Sequence, residues 1–445
     1  MTPMTQPVTD AGVVRDAADV AEFARACLSP AGGDRVGVEL EFLVFDRADP
    51  RRHVPIAHVR AALADRLPGG SRVSFEPGGQ LELSSPPAAL PDAIAGLGAD
   101  VAAAAEALER RGLVLAGVGI DPVRPPLRQL RLPRYEAMAA YFAACSPGSA
   151  AGRLMMCSTA SVQVNVDLGA RPEARWARAH ALGPVLAAAF ANSPLRLGRP
   201  CGWMSARQRV WERLDRTRTA PVAGAADGPP DGTANGAAAP ARDWAHYLLD
   251  ARLMVARDAD GRLRPVCDGT TFRDRLAAPG PPPTAADLAY HATTLFPPVR
   301  PRGWLEIRYL DAQGPEDWPV AVAVTYALVA DDRAGAAAMA AVADAGLAAA
   351  GPYGGPGDPW RIAARCGLAD PALRRAADAC FRAALAALPR LGAPAGLVAR
   401  VAAFADRHVA AGRPPAAGLL ATGPLPAPLT RRPAGATGSR SGGNR

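Results

Sequence analysis

The chain has 445 residues, 49% of them hydrophobic, with 50 basic against 42 acidic side chains and a formal charge of +8 at pH 7. All 50 basic residues are arginine. The absence of lysine excludes a P-loop, a pyridoxal Schiff base and the protein-kinase strand Lys, so any phosphate chemistry must rest on Arg and metal.

The charge does not point to nucleic acid. Arg431, Arg432, Arg440 and Arg445 lie in a Pro/Gly/Ser-rich tail with no acid, and supply four of the eight charges. No aromatic-interleaved basic stripe is present in the rest. The seven cysteines have no CxxC spacing, which suggests reduced thiols rather than a zinc or disulfide framework. No apolar run reaches the roughly 18 residues of a membrane helix, and the polar start Met1–Asp10 lacks a signal pattern. A cytoplasmic protein with no nucleic-acid or membrane partner is expected.

In chain order, residues 1–15 read as a flexible arm and 17–28 as a first helix begun by an aspartate. A strand is expected over 35–46, a long Ala-rich helix over 90–111 and a strand over 113–119. Helices follow over 134–144 and 172–191. The Gly/Ala/Pro/Asp-rich stretch 220–241 reads as a mobile insertion. After Pro315 the pattern is helical to about residue 411, with breaks near 351–357 and 392–395. Residues 426–445 have the composition of a disordered tail. Polar strands scattered from residue 36 to residue 310 argue for one catalytic domain over 16–425, and strands mixed with long helices for an α+β fold.

Four strands share one pattern. Side chains alternate between the two faces of a strand. Val36, Val38, Leu40, Phe42 and Val44 form an apolar face, with Glu39 and Glu41 on the other. Leu81 and Leu83 oppose Gln80, Glu82 and Ser84. Val162, Val164 and Val166 alternate with Gln163 and Asn165, and Leu305, Ile307 and Tyr309 with Glu306 and Arg308. Any one of these fits a sheet with one face in water. Together they concentrate Glu, Gln, Asn and Arg, where solvated faces carry Thr and mixed charge. Glu39 and Glu41 would stand roughly 7 Å apart. If they share a cavity with Glu82 and Glu306, protonation or cations must offset the repulsion. Oxygen ligands of this kind select Mg²⁺ or Mn²⁺, and a carboxylate-lined sheet holding such ions can cradle nucleotide phosphates without lysine.

The same segments carry a family resemblance. GVELEF (37–42), FEPGGQLELSS (75–85), PRYEAMAAYF (133–142), STASVQVNVDLG (158–169), FANSPLRLGRPCGWMSARQRVWERLD (190–215), DGTTFRDRL (268–276) and HATTLFPPVRPRGWLEIRYLDAQG (291–314) occur in order over roughly 280 residues. They resemble the plant-and-bacterial branch of the glutamate–cysteine ligases, most closely the actinobacterial enzymes that open ergothioneine biosynthesis.

The resemblance implies a glutamine synthetase-like catalytic fold: a curved, mainly antiparallel sheet forming a funnel, backed by helices. It implies metal ligation by Glu39, Glu41, Glu82 and Glu306, with Glu76 and Gln163 as additions. Catalytic roles fall to Arg308, facing the transferring phosphoryl group, and to Glu82. Arg134 and Arg207 become the glutamate-carboxylate binders and Trp244 an aromatic near the substrate, with Gln80 and Asn165 as nucleotide contacts. Taken alone, Arg207 reads as part of a solvated helix face and Arg134 as a surface charge. The implied substrates are L-glutamate, L-cysteine and ATP, with Mg²⁺ or Mn²⁺. On the residues alone two alternatives stay open: the same mechanism with another amine acceptor, and a non-catalytic metal- or nucleotide-binding relative.

Overall fold

The computed structural model describes residues 12–30, 32–146, 148–225, 238–258, 261–347 and 353–423. Its centre is a seven-stranded sheet. The valine-rich alternation of β1 (Val36–Asp46) places it in the middle. β2 (Arg72–Phe75) and β3 (Leu81–Ser84) form a hairpin beside it, and β4 (Leu113–Ala116) pairs with its C-terminal half. β5 (Ser161–Asp167) lies on its N-terminal half. Two small hairpins follow, β6 (Leu195–Arg196) with β7 (Arg199–Pro200), and β8 (Val255–Arg257) with β9 (Leu263–Pro265). The hairpin of β10 (Val299–Pro301) and β11 (Trp304–Asp311) completes the main sheet in the order β10-β11-β5-β1-β3-β2, antiparallel throughout and open at both edges.

Helices cover one face. α1 (Ala17–Cys27), α2 (Ile56–Ala62), α3 (Leu90–Glu109), α4 (Pro133–Cys145) and α5 (Ala151–Ser158) alternate with the first strands. α6 (Pro172–Ala181), α7 (Gly183–Ala189), α8 (Ala206–Glu212), α9 (Arg216–Thr219), α10 (Ala238–Asp250), α11 (Phe272–Ala277) and α12 (Ala285–Thr293) precede the last hairpin. α13 (Trp318–Ala330) is buried from Trp318 to Val329 because it is apolar all round. It packs on β5, and α3, α6, α14 (Asp332–Asp344), α16 (Pro371–Ala387) and α17 (Ala395–Phe404) pack on it. α15 (Pro359–Cys366) packs on α7 and α8. The expected apolar strand faces, including Val38, Leu40, Leu83, Val164 and Ile307, all lie in this core. The class is α+β, and the opposite sheet face is free to form a site.

Several boundaries differ from expectation. The helix expected over 172–191 breaks at Leu182, where Gly183 and Pro184 open α7. The strand expected to reach Gly119 stops at Ala116, because Gly117 and Gly119 turn to bond Asn192: its amide donates to Gly117 O and its carbonyl accepts from Gly119 N. Residues 12–15 of the expected arm are tied down, Val14 N–H donating to Pro283 O and Ala285 N–H to Gly12 O. Within the expected insertion, Val222 and Ala225 are buried and α10 begins at Ala238; residues 226–237 lie outside the described residues, as do 1–11 and the basic tail. All seven cysteines are free thiols. No helix among the described residues is long and apolar enough to cross a membrane.

A Cβ on Gly117 would overlap the main-chain carbonyl of Gln313, whereas one on Gly314 would meet nothing. Gly117→Ala is therefore expected to destabilise the fold by about 2 kcal/mol or more, and Gly314→Ala by under about 0.5 kcal/mol. Denaturant unfolding of the two variants side by side checks this.

Candidate active site

The antiparallel register builds the site. It sets Glu41 opposite Glu82, Glu39 opposite Gln163, and Glu306 opposite Asn165, all on the face turned away from the core. The β2–β3 turn, closed by Gly79 N–H donating to Glu76 O, adds Glu76. Gly79 has φ +93°, a conformation that favours glycine. One carboxylate oxygen from each of Glu41, Glu76 and Glu82 lies within 4.8 Å of the others.

Neutral donors surround these acids. Glu41 accepts from Ser161 N–H (2.8 Å) and Gln163 Nε2 (3.0 Å). Glu82 accepts from the hydroxyls of Ser74 (2.6 Å) and Ser84 (3.0 Å). Glu39 accepts from Asn165 Nδ2 (3.1 Å), whose Oδ1 accepts from the Trp304 indole (3.2 Å). Burial, then the charges of Glu82 and Glu306, push the Glu39 carboxyl up to about 8. Burial and Glu82 also raise Glu41, and raise Glu76 well above the carboxylate range. This end of the site holds protons or needs cations. Three converging carboxylates with only oxygen donors fit Mg²⁺ or Mn²⁺.

The other end is basic. Glu306 is buried among arginines: Arg300 grips it through Nε (2.6 Å) and Nη2 (3.1 Å), with Arg308 at 3.2 Å and Arg302 at 3.4 Å. Burial alone would raise this carboxyl, but Arg300, then Arg308 and Arg302, hold it far below its usual range. Arg300 also donates to Leu295 O (2.9 Å). Arg134 is held by Thr293, through its hydroxyl and its carbonyl at 2.8 Å each, and lies over the Tyr290 ring.

Arg308 stands where the ends meet. The β5–β11 register slips between Ile307 and Leu310, so Arg308 and Tyr309 together oppose Gln163. This bulge turns Arg308 to donate to Gln163 Oε1 (2.6 Å), while Gln163 bonds Glu41 with its amide. The displaced carbonyls of Arg308 and Tyr309 accept from Arg207 Nη2 (2.7 Å) and Gln208 Nε2 (2.5 Å) of α8. Beside them opens a cleft lined by Arg207, Trp211, Phe296, Pro298, Arg308 and Tyr353 among others. Arg207 Nη1 is buried with no hydrogen-bond acceptor among the described residues. It faces the buried Asp311 carboxylate, Oδ1 at 3.9 Å.

The structure thus brings Glu39, Glu41, Glu76, Glu82, Gln163, Asn165, Glu306, Arg207 and Arg308 to one face, with Arg134 tied to the same loop as Arg300. Two expected contacts do not join them. Gln80 is buried behind the sheet, donating to Met156 O and Thr159 O, because it precedes β3 and belongs to the turn. Trp244 is fully buried in the main core, stacked on Tyr247 at 5.5 Å, and has no surface to offer a ligand. Arg300 and Arg302 were not foreseen. The signal was legible: in VRPRGWLE a tight hairpin sets Arg300 directly across from Glu306.

A family model described as glutamate-cysteine ligase family 2 matches residues 35–439. The chain belongs to that family. It is a ligase. The glutamate–cysteine ligase EgtA of Mycobacterium tuberculosis is 41% identical over 421 residues, covering 90% of this chain and 92% of its own. EgtA of Mycolicibacterium smegmatis is 44% identical over 366 residues, 80% of each chain. The solved glutamate–cysteine ligase of Francisella tularensis, in complex with AMP, aligns over 87% of this chain and 84% of its own at 10% identity and a TM-score of 0.47.

The raised carboxyls set a pH dependence. Glu39 titrates near 8 in the fold against 4.5 when unperturbed. Without cations its contribution to stability is present at low pH and lost as pH rises through that window. His180 and His291, pushed down to about 4 and about 3 by burial, act in the opposite sense, but only below the ordinary value of about 6.5. Between about pH 6.5 and pH 8 the unfolding midpoint of cation-free ligase should therefore fall. Mg²⁺ should reverse the fall, most strongly at the higher pH, and Glu39→Gln should flatten it. A cation-free midpoint that stays level across this range would count against the unbalanced acid cluster.

Proposed function

We propose that this ligase joins the γ-carboxylate of glutamate to the amine of cysteine, driven by ATP and passing through γ-glutamyl phosphate, as a step of ergothioneine biosynthesis. The observation that carries this reading is the convergence of Glu41, Glu76 and Glu82 opposite an arginine, Arg308, tethered between Gln163 and Glu306. Family membership supports it.

In this reading Glu39, Glu41, Glu76 and Glu82 hold Mg²⁺ or Mn²⁺, with Gln163 as a neutral ligand. Bound there, the cations would balance the charge of the triphosphate. Glu306 joins them only where nucleotide phosphates compete for its three arginines. Asn165 orients Glu39. The planar forks of Arg207 and Arg134 receive the carboxylates of glutamate.

A γ-carboxylate oxygen attacks the γ-phosphorus, the bond to the β,γ-bridging oxygen breaks, and ADP leaves. Arg308 stabilises the charge that gathers on the phosphoryl oxygens. The cysteine nitrogen then attacks the acyl carbon, the C–O bond to phosphate breaks, the amine loses a proton and inorganic phosphate leaves. The aromatic and proline walls of the cleft keep water from hydrolysing the acyl phosphate.

Glutamate labelled with ¹⁸O in the γ-carboxylate should pass one label to inorganic phosphate. Formation of AMP and pyrophosphate instead would overturn the mechanism, and ADP release with other amines but not with cysteine would overturn the acceptor. Glu82→Gln is expected to lower turnover by about 100-fold or more with the fold intact. Turnover like that of the parent in saturating Mg²⁺ would remove Glu82 from the site.

A further inference from the structure

β11 ends on Asp311, which is 2% exposed and is not one of the three converging carboxylates. Its Oδ2 accepts from Asn192 N–H (2.8 Å) and the Ser193 hydroxyl (2.7 Å), and its Oδ1 accepts from the Ser205 hydroxyl (2.9 Å). Arg207 Nη1 lies 3.9 Å from the same Oδ1. A Cβ on Gly119 would stand 2.5 Å from the carboxyl carbon, so glycine there makes the room.

The two serines carry the effect onward. A hydroxyl has one proton to donate. Both give theirs to Asp311, which leaves their oxygens as acceptors for the first turn of α8. Ser193 Oγ accepts from Arg207 N–H (3.1 Å), and Ser205 Oγ, the helix cap, accepts from Gln208 N–H (3.1 Å). From that turn Arg207 and Gln208 reach back to the bulge carbonyls of Arg308 and Tyr309. The circuit closes on the strand it started from. A single carboxylate fixes the backbone of Arg207 through Ser193, faces its guanidinium, and through the same turn sets the bulge that aims Arg308.

We propose that Asp311 is a positioning residue that holds Arg207 and Arg308 in one register, so that glutamate capture and phosphoryl transfer depend on it together although it touches no substrate. This rests on the roles given above to those two arginines.

Asp311→Asn keeps the shape but replaces one carboxylate oxygen with a donor, so that either Ser205 and Arg207, at Oδ1, or Asn192 and Ser193, at Oδ2, lose their acceptor. In the full-length ligase with Mg²⁺, the expected result is an apparent KM for glutamate raised about 10-fold or more and a kcat lowered about 10-fold, with the KM for ATP changed less than about 2-fold. Combined with Arg207→Lys the losses should be sub-additive, the double variant falling little below the worse single one. Equal shifts in the two KM values, full additivity, or parent-like kinetics would each overturn the proposal. Should Asp311→Asn not fold, Ser193→Ala severs one arm alone and should show the same split between substrates at about 3-fold; no split would overturn it. Amide hydrogen exchange reads the clamp without activity: residues 205–210 should exchange faster in Asp311→Asn while β1 and β5 do not. Faster exchange with no glutamate-dependent ADP release in the parent would leave the clamp standing and sink the functional reading instead. Unchanged exchange would sink the clamp.

Discussion

Carboxylates packed on one face of a sheet repel one another, and the site is arranged around that repulsion. The register of β1 with β3 places Glu41 directly across from Glu82, a pairing that costs free energy in any sheet. Burial sharpens the cost, since water no longer screens the charges. At this end serine hydroxyls, Gln163, Asn165 and the Ser161 N–H donate neutral hydrogen bonds, and the pull of Arg308 does not offset burial and mutual repulsion. The result is a cluster that takes up protons or divalent ions. At the other end the same problem has the opposite solution, with Glu306 held among three arginines and kept ionised. The sheet face is thus polarised along its length, and Arg308 is placed where the two regimes meet.

This arrangement depends on the layer beneath it. The apolar faces of β1, β5 and β11 lie in one core, with β5 on α13, β1 on α3 and β11 on α6 and α7, and α13 is itself buried and held by the outer helices. With one face fully committed to the core, a one-residue slip would turn the glutamates into the apolar core and the valines onto the polar face. The core therefore fixes the register, and the register fixes which acids meet. The bulge at Arg308 and Tyr309 frees two carbonyls that turn to α8. Arg207 and Gln208 satisfy them, which couples α8 to the catalytic strand.

Family membership and geometry contribute differently. The family assignment covers most of the chain and identifies a ligase. The geometry says what each residue can do within it. Gln163 accepts from Arg308 and donates to Glu41, which a neutral amide can do and a carboxylate cannot. Arg207 holds a strand carbonyl with one nitrogen and faces the buried Asp311 carboxylate at 3.9 Å with another, while its side chain lines the cleft.

Much of this was legible in the residues. Period-two alternation in GVELEF, QLELS, SVQVNVD and WLEIR identified the strands and their polar faces, because a strand that packs on a core on one side can carry chemistry only on the other. The absence of lysine left arginine and metal as the means of handling phosphate. What the alternation could not supply was strand order, register and the contacts made across them. Trp244 was expected near the substrate from the family resemblance alone and lies outside the matching stretches, and its burial against α1 and Tyr247 depends on a helix pairing that no local pattern encodes. Gln80 followed the alternation of β3 but lies just before the strand begins, where the turn rotates its side chain away. The arginine cage on Glu306 needed the β10–β11 hairpin to fold Arg300 back on its partner, and the hold of Asp311 on α8 joins residues more than a hundred positions apart. Local pattern reports which face a residue occupies; long-range pairing decides which other residues share that face, and the chemistry of the site arises from that pairing.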